Sequence, residues 1–203
     1  MADAHSSLIL AKLNTPHIAA LYFLEFELIF QISYESEIPS LTICDTQIDE
    51  FIDICRGKKA YKKGRVFELK SQGKYEANAD IIPYFSSDGI LVSERLYFSL
   101  KEFLLCSGQW LECEYKKTKY FYFDTSVVLN AIDYDASGCK YTDGYLVSIN
   151  PIVFKPLNFD SVFLFRVPRE GDNRPIWLFA TESFRKLFEQ LSVKNIKFDA
   201  PKI

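Results

Sequence analysis

Histidine is nearly missing from this chain of 203 residues: it has two, His5 and His17, both close to the N-terminus. A histidine-based zinc centre therefore has almost no material, and a Ser-His-Asp or Cys-His nucleophile would lack its base. The five cysteines (Cys44, Cys55, Cys106, Cys113 and Cys139) are odd in number and form no C-x-x-C pair. That argues against a disulfide framework and sets the expectation of a reducing, cytoplasmic setting. The opening MADAHSSLILAKLN also lacks the charged start and cleavage site of a secretory signal. Absent too are G-x-S-x-G, the Walker loop, G-x-G-x-x-G, H-E-x-x-H and the kinase set. No catalytic residue, cofactor or metal is expected. With a net charge of −3, the whole molecule has no electrostatic pull toward nucleic acid or an anionic membrane.

What is present is apolar and aromatic. Hydrophobic residues make up 48% of the chain and aromatics 16%, with 18 Phe and 12 Tyr. That is ample for a packed core, and it favours strands over a helical bundle. The organising stretch is Gly89 to Tyr115. Ile90-Leu91-Val92 reads as a buried strand, and Ser93 with Glu94 reads as a helix cap. Leu96, Leu100, Phe103 and Leu104 recur at helical spacing until Ser107-Gly108 stops the helix, and a second strand follows. The design returns near the C-terminus. Trp177 to Ala180 is the strand, Thr181-Glu182 the cap, and Phe184, Leu187, Phe188 and Leu191 the stripe. Asn195 to Phe198 closes the second unit. A cap accounts fully for both hydroxyl-Glu pairs, so the echo is read as architecture without chemistry.

The most apolar run, Ile18 to Ile32, is too short for a membrane span and carries Glu25 and Glu27. Leu24, Phe26, Leu28, Phe30 and Ile32 alternate with Glu25, Glu27 and Gln31, which predicts a half-buried, central strand. Leu41 to Ile43 reads as a short strand. Asp45 or Thr46 is placed to cap a helix with Ile48, Phe51, Ile52 and Cys55 on one side, ended by Gly57. Further strands are expected at Val66–Lys70, Lys119–Asp124, Val127–Tyr134, Tyr145–Pro151, Val153–Phe154 and Val162–Val167. The expected fold is a single α+β domain: a mixed, mostly antiparallel sheet, a few helices and two similar strand-helix-strand units. A subdivision into an N-terminal lobe, 1–75, and a body, 76–203, is compatible with the pattern.

Charge is segregated in the first third. Residues 35–53 hold six acids (Glu35, Glu37, Asp45, Asp49, Glu50, Asp53) and no base, while residues 56–65 hold six bases and no acid. Either a solvated helix face precedes a basic loop, or the two patches meet a charged partner. Lys58 to Arg65, with Tyr61 inside it, could contact phosphates, but the neighbouring acids would repel the same backbone. Asp133 and Asp135 could share one strand face and hold a metal. Beside Ser137-Gly138, where Asp side chains commonly close turns, the turn is the favoured reading.

Four segments carry a resemblance: ADIIPYFSSDGILVSERLYFSLKEFL, VLNAIDYDASG, FDSVFLFRVP and WLFATESFRKLFEQLSVKNIKFDAP. Their order resembles bacterial polymorphic-toxin immunity proteins, notably the families usually numbered eleven and forty-three. Ser93-Glu94-Arg95, Asp133-Tyr134-Asp135-Ala136-Ser137 and Thr181-Glu182-Ser183 fill the three motif positions, and the match covers roughly residues 78–200. The resemblance implies a non-enzymatic cytoplasmic protein that binds and neutralises a cognate toxin. An acidic inhibitor could cover a basic toxin site, with Glu35, Glu37, Asp45, Asp49, Glu50 and Asp53 in contact and Tyr34 or Tyr61 as anchor. The alternatives are a general interaction module without a toxin partner, and a metal-dependent enzyme using Asp133 and Asp135.

Overall fold

The computed structural model describes residues 28–34, 39–71, 73, 79–84, 89–159, 161–169 and 172–200. In chain order the elements are β1 (Ile29–Tyr34), β2 (Leu41–Ile43), a 3-10 turn (Asp45–Gln47) running into α1 (Ile48–Cys55), β3 (Val66–Ser71), β4 (Ile81–Ile82) and β5 (Gly89–Ser93). Then come α2 (Glu94–Leu100), β6 (Gly108–Tyr115), β7 (Thr118–Thr125), β8 (Cys139–Thr142), β9 (Tyr145–Ile149) and β10 (Leu164–Arg169). Last are β11 (Asp172–Thr181), α3 (Glu182–Gln190) and β12 (Ile196–Asp199). The fold is α+β with mixed, mostly antiparallel sheets, as the sequence pattern indicates.

Six strands pair in the order β2-β3-β6-β7-β5-β4, and only β3 and β6 run parallel. The two edges of this sheet meet. Leu41 bridges Tyr84, and the Leu41 N–H donates to the Pro83 carbonyl at 3.0 Å. The sheet thus curls into a small barrel. Phe67, Leu91, Leu111, Tyr120 and Tyr122 fill its inside with Phe51 and Ile54 of α1. Ile90, Val92, Phe121 and Phe123 point outward into a second core shared with α2 and α3. Burial on both faces explains why β7 reads as the unbroken run Tyr120-Phe121-Tyr122-Phe123 instead of alternating with polar residues.

The second sheet, β10-β11-β1-β12, is antiparallel throughout. Leu164, Leu178 and Ala180 face the second core, while Phe165, Val167 and Phe179 pack on Ala131, Ile132 and Phe159 behind it. The 88-residue echo has a topological meaning here. β5 and β6 flank β7, and β11 and β12 flank β1, each outer strand antiparallel to the one between. Both units are therefore split strand-helix-strand crossovers with one strand inserted. Their caps match: Ser93 Oγ accepts from Leu96 N–H, and Thr181 Oγ1 from Phe184 N–H. Strands from the first 75 residues lie in both sheets, with β1 paired to β11 and β12, and β3 to β6.

Several expectations need correction. α2 ends at Leu100 and gives way to turns, so Phe103 is 51% exposed instead of completing the buried stripe. β6 starts at Gly108, where a Cβ would sit 2.2 Å from the Asp124 carbonyl, so glycine is required at that close approach. Val127–Tyr134 and Val153–Phe154 form no strands. They make isolated bridges, Val128 to Arg166 and Ile132 to Phe154, and reach the third core without a ladder. The 3-10 turn and α1 start without any side-chain cap from Asp45 or Thr46, and α1 buries Phe51 and Ile54. In β1 Phe30 is buried, Ile32 packs on the second core and Gln31 is exposed, as the alternation predicts, but Leu28, just before the strand, is exposed and Ile29 is buried as well. The strand expected from residue 18, as far as residue 27, and the N-terminal segment with His5 and His17 lie outside the described residues.

Candidate functional site

The acids of the first third lie against the bases that follow them. After α1, Gly57 takes φ +69°, the left-handed turn that glycine adopts without strain, and Lys58 N–H closes back on the Asp53 carbonyl. The basic loop then folds over the helix. Lys58 lies 3.7 Å from Asp53, Lys59 2.5 Å from Glu50, and Arg65 2.9 Å from Glu50. Lys70 of β3 reaches Asp45 at 2.5 Å. Hydrogen bonds from Lys59 and then Arg65 hold the Glu50 carboxyl below the usual carboxylate range. The two patches thus form one face of mixed sign. Asp49 is exposed and makes no ion pair among the described residues. Glu35 and Glu37 lie outside those residues.

The two candidate tyrosines sit apart. Tyr61 is built into the barrel wall: its hydroxyl donates to the Arg65 carbonyl at 2.8 Å and accepts from Glu112 N–H at 3.1 Å. Burial pushes its phenol up. Tyr34 belongs to β1 and packs against the second core. It borders a cavity of about 160 Å³ between the sheets, with Trp177 and Tyr84 on the walls. Burial pushes the Tyr34 phenol up to about 12. The structure therefore groups Asp45, Asp49, Glu50, Asp53 and Tyr61 on the α1 side and leaves Tyr34 elsewhere.

The Asp133 carboxylate accepts Ala136 N–H at 3.1 Å, and Ser137 Oγ donates to the Asp133 carbonyl at 2.5 Å. This is the turn-closing geometry. Among the described residues no group of three His, Cys, Asp or Glu side chains could hold a metal ion, and no helix is long and apolar enough to cross a membrane. Among the described residues one charged pair is buried. Arg166 of β10 donates to Asp124 at the end of β7, and Gln109 Nε2 supplies a second donor at 2.9 Å. The pair ties the barrel to the second sheet. It is a structural clasp.

No protein-family model matches this sequence, and no curated protein matches it significantly.

Among the described residues, exposed apolar side chains stand in groups in two places. Phe98, Phe103 and Leu105 line α2 and the turns after it, at 58%, 51% and 67% exposure. The second place is the β8–β9 hairpin. Asp143 and Gly144 both have positive φ, 51° and 78°, the two-residue turn that holds a hairpin in register. Leu146 roots the hairpin in the interior, while Tyr145 and Val147 stand out at 71% and 57% exposure beside the half-exposed Tyr141. Sequence reading missed β8 and these tyrosines. The available signal was Asp143-Gly144 between Thr142 and Tyr145.

Proposed function

We propose that this protein acts by direct protein–protein contact, as a cytoplasmic immunity protein that binds and neutralises a cognate bacterial toxin. The observation that carries this reading is the β8–β9 hairpin, a turn-locked element presenting Tyr145, Val147 and Tyr141 to solvent. Tyrosine on a rigid frame gives large contact area at low entropic cost, and such residues are over-represented among binding hot spots. The motif resemblance over residues 78–200 supplies the toxin as the partner's class. The α1 face contributes Asp49 as its acidic contact to a basic partner, while Asp45, Glu50 and Asp53 are engaged by Lys70, Lys59, Arg65 and Lys58. Tyr34 and Tyr61 are occupied in the fold, so the anchoring role passes to the hairpin.

The test is an affinity comparison against the partner recovered with the tagged chain from its native host, then purified. Tyr145→Ala is expected to weaken binding by about thirtyfold, the loss of one hot spot. Reversing Asp49, Glu50 and Asp53 to Lys is expected to slow association and to flatten its salt dependence. If Tyr145→Ala binds like the parent while the triple reversal abolishes the complex, the interface lies on α1 and the hairpin assignment fails.

A further inference from the structure

β12 (Ile196–Asp199) ends the four-stranded sheet and pairs with β1 on one side only. Among the described residues no backbone hydrogen bond from elsewhere reaches its other side. Among the described residues the strand therefore offers a row of unpaired N–H and C=O groups, a template for another strand. Its side chains are held in place. Phe198 packs edge-on against Phe30, Phe184 and Phe188, and the Asp199 carboxylate accepts a hydrogen bond from Ser33 Oγ. Lys197 and Asp199 are exposed on one face, and Ile196 and Phe198 are turned toward the second core.

A lysine alone on a sheet edge guards against strand addition. An acid two positions along on the same face changes its meaning. Laid antiparallel against a second copy with the two-fold axis at Phe198, the edge places Lys197 of each chain opposite Asp199 of the other. Opposite charges facing across a pair stabilise it, and like charges destabilise it. Centring the axis on residue 197 or 199 instead sets one charge against its own copy. The short edge thus encodes one partner and one register.

We propose that β12 is a self-association edge, joining two copies of this chain through their four-stranded sheets with two reciprocal Lys197–Asp199 pairs. Self-association of this kind does not depend on a toxin partner.

Sedimentation equilibrium on the full chain tests it. The parent protein is expected to dimerise. Lys197→Asp and Asp199→Lys should each weaken the homodimer about tenfold, because two attractive pairs become repulsive. An equimolar mixture of the two single variants should recover the parent affinity, since each copy then brings two charges of one sign against two of the other. The double variant Lys197→Asp/Asp199→Lys should dimerise like the parent. A parent chain that stays monomeric at its highest soluble concentration overturns the proposal. So does a dimer indifferent to both single changes, or a mixture that gains nothing. Recovery in the mixture also shows that the single variants are folded.

Discussion

At the scale of single residues, the most consequential side chains carry charge into the interior. Asp124 and Arg166 are both buried, and the clasp they form is completed by Gln109. Thr125 beside it bonds to carbonyls of Ser107 and Leu164, so the end of β7 is stitched to both sheets at once. A buried charge is tolerable only while its counter-charge and donors remain. Asp124→Ala is therefore expected to destabilise the fold by about 3–5 kcal/mol, whereas the paired change Asp124→Leu/Arg166→Met should recover much of that loss. Urea unfolding of the three proteins measures it. A single variant within the error of the parent would mean that the pair is solvated and unimportant. Elsewhere in the interior, burial pushes the Cys113 thiol and the Tyr122 phenol up, keeping both neutral inside the barrel.

At the scale of elements, the hairpins show how turn chemistry and strand sequence can disagree. β6 and β7 are joined by Lys116 and Lys117, both at positive φ, 48° and 68°. Lysine adopts that region at a cost of about 1–2 kcal/mol per residue, and Asn-Gly is the pair that suits this turn. Replacing the two lysines, Lys116→Asn with Lys117→Gly, should stabilise the protein by about 1 kcal/mol. The signature is a higher urea midpoint at unchanged slope. A lower midpoint would show that the lysines do something for the turn that their backbone conformation does not reveal. Much at this scale was legible in advance. The caps at Ser93 and Thr181 and the helices after them follow from local hydrogen bonding, which a sequence displays directly. Val127–Tyr134 was not legible, because β-branched and apolar residues look the same whether a ladder or a core claims them. The Asp143-Gly144 turn is a local signal of the same kind, two positive-φ residues closing the β8–β9 hairpin.

At the scale of the whole molecule, the two split units are completed differently: β7 follows β6 directly through the Lys116-Lys117 turn, whereas β1 reaches its place between β11 and β12 from far away in the chain, and that second insertion lies beyond any local pattern. Ser93-Glu94 and Thr181-Glu182 reveal that a unit repeats; they cannot reveal that β7 fills one copy and β1 the other. The candidate surface divides the same way. The run of acids and the run of bases were visible as composition, but their mutual ion pairing needed the loop after Gly57 to fold back on α1. Tyr145 becomes a candidate only once its exposure is known: the Asp143-Gly144 turn before it marks a hairpin, but not which side chains of that hairpin face solvent, and several of the eleven other tyrosines are buried. Under the proposed function, the frame of two sheets around three aromatic-rich cores would hold the partner through the apolar side chains left outside on the β8–β9 hairpin. The most direct measurement is growth of cells expressing the partner protein recovered from the native host, with and without this chain. Neutralisation predicts that the partner alone arrests growth and that co-expression restores it, with the two proteins purifying together in equal amounts. Arrest that persists despite full expression of this chain, or the absence of any stoichiometric partner when neighbouring genes are expressed, would contradict the account.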